Sequence, residues 1–219
     1  MPDTSTFVHL RLHTEYSLVD SVVRVEELMD AVAAAGMPAV ALTDQSNLFA
    51  MVKFYKAAVA RGIKPIVGVD GWLAEPGERA EPSRLILLCQ TLEGYRNLTR
   101  LVSRSYLEGQ RRGVPQFERG WLTPDSVRGL IALSGGRDGD IGRALAARRD
   151  AEADSMLAAW LELFPERLYL ELVRTGRAGE EDHVQAALRL AARHRAPVVA
   201  TNDVRFVRRA DFESHEARV

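Results

Sequence analysis

The chain has 219 residues, of which 47% are hydrophobic and 27% charged, and its formal net charge at pH 7 is −1. That length can bury a full core, while the near-zero charge excludes a protein that binds nucleic acid through its overall charge. A single cysteine excludes an internal disulfide, and the sequence has no export signal and no apolar run long enough to span a bilayer, so we expect a cytoplasmic protein.

Apolar runs that predict strands alternate with amphipathic runs that predict helices. The predicted strands are 7–13, 38–43, 63–72, 84–90, 130–134, 167–173 and 197–201, and the predicted helices are 24–35, 47–61, 92–107, 140–149, 152–163 and 179–194. Residues 211–219 have the pattern of a further helix. This alternation predicts parallel strands with crossover helices, in an open sheet or a closed barrel. No linker is evident, so we expect one domain over 1–219.

The polar residues favour the barrel. No dinucleotide fingerprint follows the first strand, which counts against a Rossmann sheet. Polar or glycine positions lie instead at the carboxyl ends of predicted strands, namely His13, Asp44, Asp70, Gly135, Gly136, Thr175, Asn202 and Asp203. In a barrel these ends converge on one mouth, where functional sites are built.

The first predicted strand would place His9, Arg11 and His13 on one face, because side chains alternate along a strand. Two such histidines suit a zinc or manganese ion, whereas the guanidinium of Arg11 repels one. Acids at strand ends also fit a metal-dependent phosphoesterase. Alternatively, such acids cap helices and close loops, and Asp44 is a candidate for a cap.

The sequence does not decide the roles of two other groups of residues. Arg96, Arg100 and Arg104 lie on one stripe of a predicted helix, which suits either DNA phosphates or a solvated surface. His183 and His194 are expected on a surface helix without evident partners.

Six segments, in order and correctly spaced, carry a resemblance to a known family. They are 9–21 (HLRLHTEYSLVDS), 36–58, 62–70 (GIKPIVGVD), 94–106, 130–140 (LIALSGGRDGD) and 198–206 (VVATNDVRF). The chain resembles, along its whole length, the N-terminal PHP (polymerase and histidinol phosphatase) domain of bacterial DNA polymerase III alpha subunits. The resemblance implies a distorted (β/α)7 barrel, similar to a TIM barrel, with up to three metal ions at its mouth. It also implies that the chain is the N-terminal part of a much larger polymerase.

Metal-binding members of that family carry ligands that this chain lacks. The ligand positions that remain are His13, Asp20, Asp70 and Asp203. By the resemblance, other residues replace the ligands at Arg11, Gln45, Arg84, Gly136, Thr175 and Arg205. Fixed guanidinium charges oppose metal ions but bind carboxylates directly. We therefore predict an ionic network of Arg11, Arg84, Arg205, Asp20, Asp70 and Asp203, with no catalytic residue and no bound metal.

The resemblance implies an architectural role: supporting the polymerase core and docking the proofreading exonuclease subunit. Polymerisation, with Mg²⁺, and contact with DNA and the replisome would belong to the parent chain, and no membrane is involved. One alternative is a phosphoesterase that cleaves pyrophosphate or a 3′ DNA end, with Zn or Mn on the remaining ligands. A second is a stand-alone phosphatase of histidine biosynthesis.

Overall fold

The computed structural model describes residues 7–77 and 80–217. The chain forms two compact units, the first from residues 1–69 and 203–219 and the second from residues 70–202. Residues 218–219 of the helix predicted at the end of the sequence lie outside the described residues.

The helices and strands follow the predicted order closely. The helices are α1 Val25–Ala34, α2 Met51–Ala60, α3 Leu92–Leu107, α4 Asp140–Ala146, α5 Asp150–Leu163, α6 Glu180–His194 and α7 Phe212–Glu216. The strands are β1 Ala39–Leu42, β2 Lys64–Leu73, β3 Ser83–Cys89, β4 Gln110–Arg111, β5 Val114–Phe117, β6 Leu130–Leu133, β7 Leu168–Val173 and β8 Val198–Thr201. Within the described residues, no helix is both long enough and apolar enough to cross a membrane.

The first unit is built on β1, the first half of β2, and helices α1 and α2. Strand β1 pairs in parallel with β2, so that Ala39 lies opposite Lys64 and Leu42 opposite Val67. Its core is apolar and closed, with Leu12, Met29, Leu42 and Phe54 fully buried. This core fixes the segment that carries Arg11 and His13, because Leu12 between them is part of it.

The prediction of a strand over 7–13 is wrong. Within this segment only Leu12 makes a β-bridge, in parallel with Val204. The amide of Leu12 is satisfied by the hydroxyl of Thr43 at 2.8 Å, and the amide of His13 by the carbonyl of Val204 at 2.9 Å. Because a side chain takes one of the hydrogen bonds that a neighbouring strand would supply, the regular ladder is lost.

The second unit contains a sheet with the order β4-β5-β2-β3-β6-β7-β8, to which β2 contributes its second half. Strands β6, β7 and β8 are parallel, but β3 is antiparallel to β6, so the prediction of parallel strands throughout is wrong. The cause is the short connection from β2 to β3, since parallel neighbours need a long crossover and none of the described residues between these two strands forms a helix.

A short hairpin, β4–β5, lies in the stretch between α3 and β6, where no strand was predicted. Arg112 and Gly113 form its turn, with φ angles of 53° and 78°. Two consecutive positive φ angles match the twist of a tight hairpin. The Arg-Gly pair was the only sequence signal, and strands this short have too few residues to show alternation.

Candidate metal-site region and its ion pairs

In the first unit, two arginines bind one carboxylate. Arg11 Nε and Arg205 Nη2 each lie 3.2 Å from Asp203 Oδ1. The side chains of Arg11 and Arg205 are only 3% and 12% exposed, so these charges are largely withdrawn from water. Asp203 has a φ of 42°, which turns the chain between β8 and Arg205. The carboxylate therefore supplies negative charge to two largely buried guanidinium groups at once.

A second carboxylate, Asp20, lies between Arg205 and His13. Arg205 Nη1 pairs with Asp20 Oδ1, and His13 Nδ1 contacts Asp20 Oδ2. Asp20 ends a 3-10 helix, and the hydroxyl of Ser21 next to it donates to the carbonyls of His13 at 2.7 Å and Arg205 at 3.0 Å. These bonds hold the backbone of all three partners in place. We call Arg11, His13, Asp20, Asp203 and Arg205 the first cluster.

Burial in this cluster changes the pKa of Arg205. Desolvation, and then the positive charge of Arg11, lower the pKa of Arg205 to about 10. The guanidinium still carries its proton at neutral pH. The first cluster therefore keeps two positive and two negative groups together, with His13 beside them.

Asp44 does not cap a helix, which corrects the sequence-based interpretation. Its carboxylate is fully buried and accepts hydrogen bonds from the Thr14 amide at 2.6 Å, the Thr14 hydroxyl at 2.9 Å and the Ser17 hydroxyl at 2.7 Å. Burial raises the pKa of Asp44, while the bonds from Thr14 and Ser17 oppose that rise. Gln45, one of the replaced ligand positions, donates its backbone amide to the same Ser17 hydroxyl at 2.9 Å.

In the second unit, Arg84 is held between a carboxylate and an indole ring. Its Nη1 lies 3.0 Å from Asp70 Oδ2, and its guanidinium carbon lies 4.0 Å from the centroid of the Trp72 ring. Asp70 and Trp72 are two residues apart on β2 and therefore share a face. Asp70 is fully buried, and it lies inside β2 rather than at the end of the strand. We call Asp70, Trp72 and Arg84 the second cluster.

The other two replaced positions have local structural roles. Gly136, with a φ of 57°, starts the 3-10 helix after β6. Thr175 donates its hydroxyl to Glu180 Oε1 at 2.6 Å, and the amides of Thr175, Gly176 and Arg177 donate to Glu180 Oε2. Thr175 therefore binds the first residue of α6.

Sequence analysis did not single out the buried acid Glu171. Glu171 on β7 is 1% exposed, and it contacts the hydroxyl of Thr201. Its backbone amide donates to the hydroxyl of Ser134, which follows β6, at 3.0 Å. The available signal was a lone carboxylate within an apolar strand, LYLELV.

The arginine stripe on α3 is partly used within the chain. Arg104 pairs with Glu108 at 2.7 Å and lies over the Trp121 ring, 4.3 Å from its centroid. Arg100 donates to the side chain of Asn97 at 3.2 Å. Two of the three arginines thus have internal partners, and contact of the stripe with DNA stays a prediction.

The two histidines of α6 differ from the expectation of partnerless surface residues. His194 lies 3.0 Å from Asp154 Oδ1, whereas His183 is only 7% exposed. Neither ring nitrogen of His183 has a hydrogen-bond partner among the described residues. Burial, and then the charge of Arg137, lower the pKa of His183, although Asp138 and Glu180 oppose this. The ring is therefore neutral at pH 7.

The lowered pKa of His183 predicts a pH-dependent stability. Below the ordinary histidine pKa of about 6.5, the unfolded chain binds a proton that the folded chain resists, so stability falls as pH falls. We expect the melting temperature to drop between pH 7 and pH 5, and less so in His183→Leu. His194→Gln is the matched control, because it removes a histidine of the same helix that is paired with Asp154. Equal pH slopes in wild type and His183→Leu would contradict the prediction.

Comparison with known proteins adds family information to this geometry. The sequence profile of the PHP domain matches residues 9–175. DNA polymerase III subunit alpha of Pseudomonas aeruginosa is 56% identical over 216 residues, which cover 99% of this chain and 18% of that protein. The same subunit of Escherichia coli is 46% identical over 213 residues, or 97% of this chain and 18% of that protein. The chain thus spans less than a fifth of the length of these relatives.

Solved structures with low sequence identity share the fold. A protein of Bifidobacterium adolescentis assigned to the metal-dependent phosphoesterases superposes with a TM-score of 0.63 at 13% identity, over 92% of this chain and 88% of its own. An amidohydrolase of Chromobacterium violaceum gives a TM-score of 0.62 at 15% identity, over 96% of both chains. The predicted α/β fold of the PHP type is confirmed.

Proposed function

The chain belongs to the PHP domain family, and from that membership we propose that it serves as the N-terminal PHP domain of a DNA polymerase III alpha subunit. The resemblance read from the six sequence segments is confirmed by relatives of that name at 46% and 56% identity over nearly the whole chain. The same identity favours a polymerase over a stand-alone phosphatase of histidine biosynthesis.

Within that polymerase, the domain acts as a scaffold without hydrolase chemistry. The observation that carries this proposal is the pairing of carboxylates with guanidinium groups in each unit: Asp20 and Asp203 with Arg205, and Asp70 with Arg84. A divalent cation on these carboxylates would meet fixed positive charges at hydrogen-bonding distance. The residues present therefore do not fit a metal ion, and no catalytic step is assigned to them.

A residual phosphoesterase is the second candidate. In the first unit, a ring nitrogen of His13 and a carboxylate oxygen of Asp203 lie within 4.8 Å of each other, a separation that two ligands of one ion can have. The solved relative assigned to the metal-dependent phosphoesterases also favours it. The buried charges of Arg11 and Arg205 oppose it, and we rank it below the scaffold.

The proposed partners follow from the polymerase assignment. They are the remainder of the alpha chain, the proofreading exonuclease subunit, and DNA and the replisome through the parent polypeptide. Polymerisation with Mg²⁺ resides in that remainder, and the protein is cytoplasmic.

Metal content tests the scaffold proposal. Tag-free protein is equilibrated with zinc and manganese, desalted and analysed by mass spectrometry. We expect essentially no retained metal, because each remaining carboxylate of the two clusters already binds a guanidinium group. Retention of two or three ions per chain, together with hydrolysis of a 3′ DNA end or pyrophosphate, would establish the phosphoesterase instead.

A further inference from the structure

Helix α2 of the first unit has an exposed apolar face. Three of its side chains lie on one face of the helix and are half exposed: Val52 (57%), Tyr55 (51%) and Val59 (53%). Phe49, just before the helix, is 66% exposed. The opposite face packs into the core through Phe54, Ala57 and Ala58. Spacings of three and four residues bring side chains together on a helix, so these four form one continuous apolar stripe.

Leu18 is a further exposed apolar side chain, in a segment next to α2. It is 65% exposed and lies in the 3-10 helix Glu15–Asp20 with a φ of 61°, a backbone conformation that is unfavourable for leucine. The same segment is tied to α2 and the loop before it. Lys53 Nζ lies 3.7 Å from Glu15 Oε1, and Asn47 Nδ2 donates to the carbonyl of Tyr16 at 3.0 Å. We call Leu18, Phe49, Val52, Tyr55 and Val59 the α2 patch.

Basic residues predominate along the part of the chain that forms helix α2 and the segments beside it. Residues 45–69 contain no acidic residue but carry Lys53, Lys56, Arg61 and Lys64, which include every lysine of the chain. Arg61 pairs with Glu26 and Asp30 of α1. Lys53 and Lys56 lie on the exposed side of α2, where Lys53 makes one long, half-exposed ion pair with Glu15. Two copies of such a patch would bring like charges together. The fitting occupant presents apolar side chains flanked by carboxylates.

The length of the relatives indicates where that occupant comes from. In the alpha subunits that this chain matches, it aligns with only 18% of the polypeptide, so a segment about four to five times longer is tethered to it. Tethering gives a neighbouring segment an effective concentration in the millimolar range for short linkers. A group of exposed apolar side chains on one helix face is typical of an interaction site.

We propose that the α2 patch is the surface on which the remainder of the polymerase chain docks, through apolar side chains flanked by acidic residues that face Lys53 and Lys56. This inference rests on the proposed function. It assigns the role of supporting the polymerase core to one helix face of the first unit.

Site-specific labelling in the complete polymerase chain tests the proposal. Tyr55→Cys places a thiol in the patch, and Glu27→Cys places a matched thiol on the exposed polar face of α1 in the same unit. Maleimide labelling of each site is followed by peptide mass spectrometry.

The native Cys89 is half-buried and burial raises its pKa to about 12, so it reacts slowly. We expect the thiol of Tyr55→Cys to label at least about tenfold more slowly than that of Glu27→Cys, because reaction requires access. In mild denaturant the rates should converge.

Equal labelling of both sites in the folded polymerase chain would overturn the proposal. Protection that appears only when the exonuclease subunit is added would also overturn it, because the patch would then bind a separate subunit. Protection that appears only at high protein concentration would overturn it too, because the patch would then bind a second copy of the chain. Primer extension by the same preparation reports the proposed function separately. A preparation that extends a primer while the thiol of Tyr55→Cys labels freely contradicts only the docking inference.

Discussion

Arg84→Ala is expected to lower the free energy of unfolding by about 3–5 kcal/mol, since it removes a guanidinium group that pairs with the fully buried carboxylate of Asp70. Asp70 is fully buried, and the guanidinium that pairs with it also covers the Trp72 ring. For a domain of this length, a loss of that size lowers the melting temperature by roughly 6–20 °C. Thermal unfolding followed by circular dichroism measures it.

Two variants isolate the cause of this loss. Arg174→Ala removes an arginine whose pair with Glu181 is 66% and 59% exposed, and it should change stability by less than about 1 kcal/mol. Asp70→Asn combined with Arg84→Ala also removes the buried negative charge. The double variant should therefore recover part of the stability that Arg84→Ala loses. If Arg84→Ala melts like Arg174→Ala, the pairing of Asp70 with Arg84 contributes nothing to stability.

Most elements of the fold were predictable because their signals are local. Helix α3 has its predicted bounds. Gly36 and Gly62 directly follow the predicted helices 24–35 and 47–61, and both have the positive φ that is typical of a helix end. The segment around Leu12 was not predictable, because its hydrogen bonds go to Thr43 and Val204, which are distant in sequence.

In the candidate site, the sequence identified the residues but not their partners. Any guanidinium can bind any carboxylate, and the choice of Asp203 for Arg11 depends on the bridge between Leu12 and Val204. The same long-range bridge places Arg205 beside Asp20. Buried Glu171 was missed because an isolated acid in a strand has no spacing pattern to reveal it.

Replacing both arginines of the first cluster with histidine is expected to create a zinc site. Arg11→His with Arg205→His would add two imidazoles to His13, Asp20 and Asp203, and four nitrogen and oxygen ligands suffice for a tetrahedral zinc ion. We expect about one zinc per chain after desalting, where the unmodified chain retains essentially none. Zinc should also raise the melting temperature of the double variant, because an ion that binds only the folded state stabilises it.

The charge of the first cluster explains why both substitutions are needed. Two aspartates and two arginines already sum to zero, so a zinc ion would leave an excess of two positive charges in a buried place. With neutral imidazoles, the two carboxylates balance the ion. Arg24→His, at an exposed position of the same unit, adds a histidine outside the cluster and should retain no zinc. If the double variant also retains none, ligand placement rather than arginine charge prevents metal binding. The preference for a scaffold over a phosphoesterase would then rest on geometry alone.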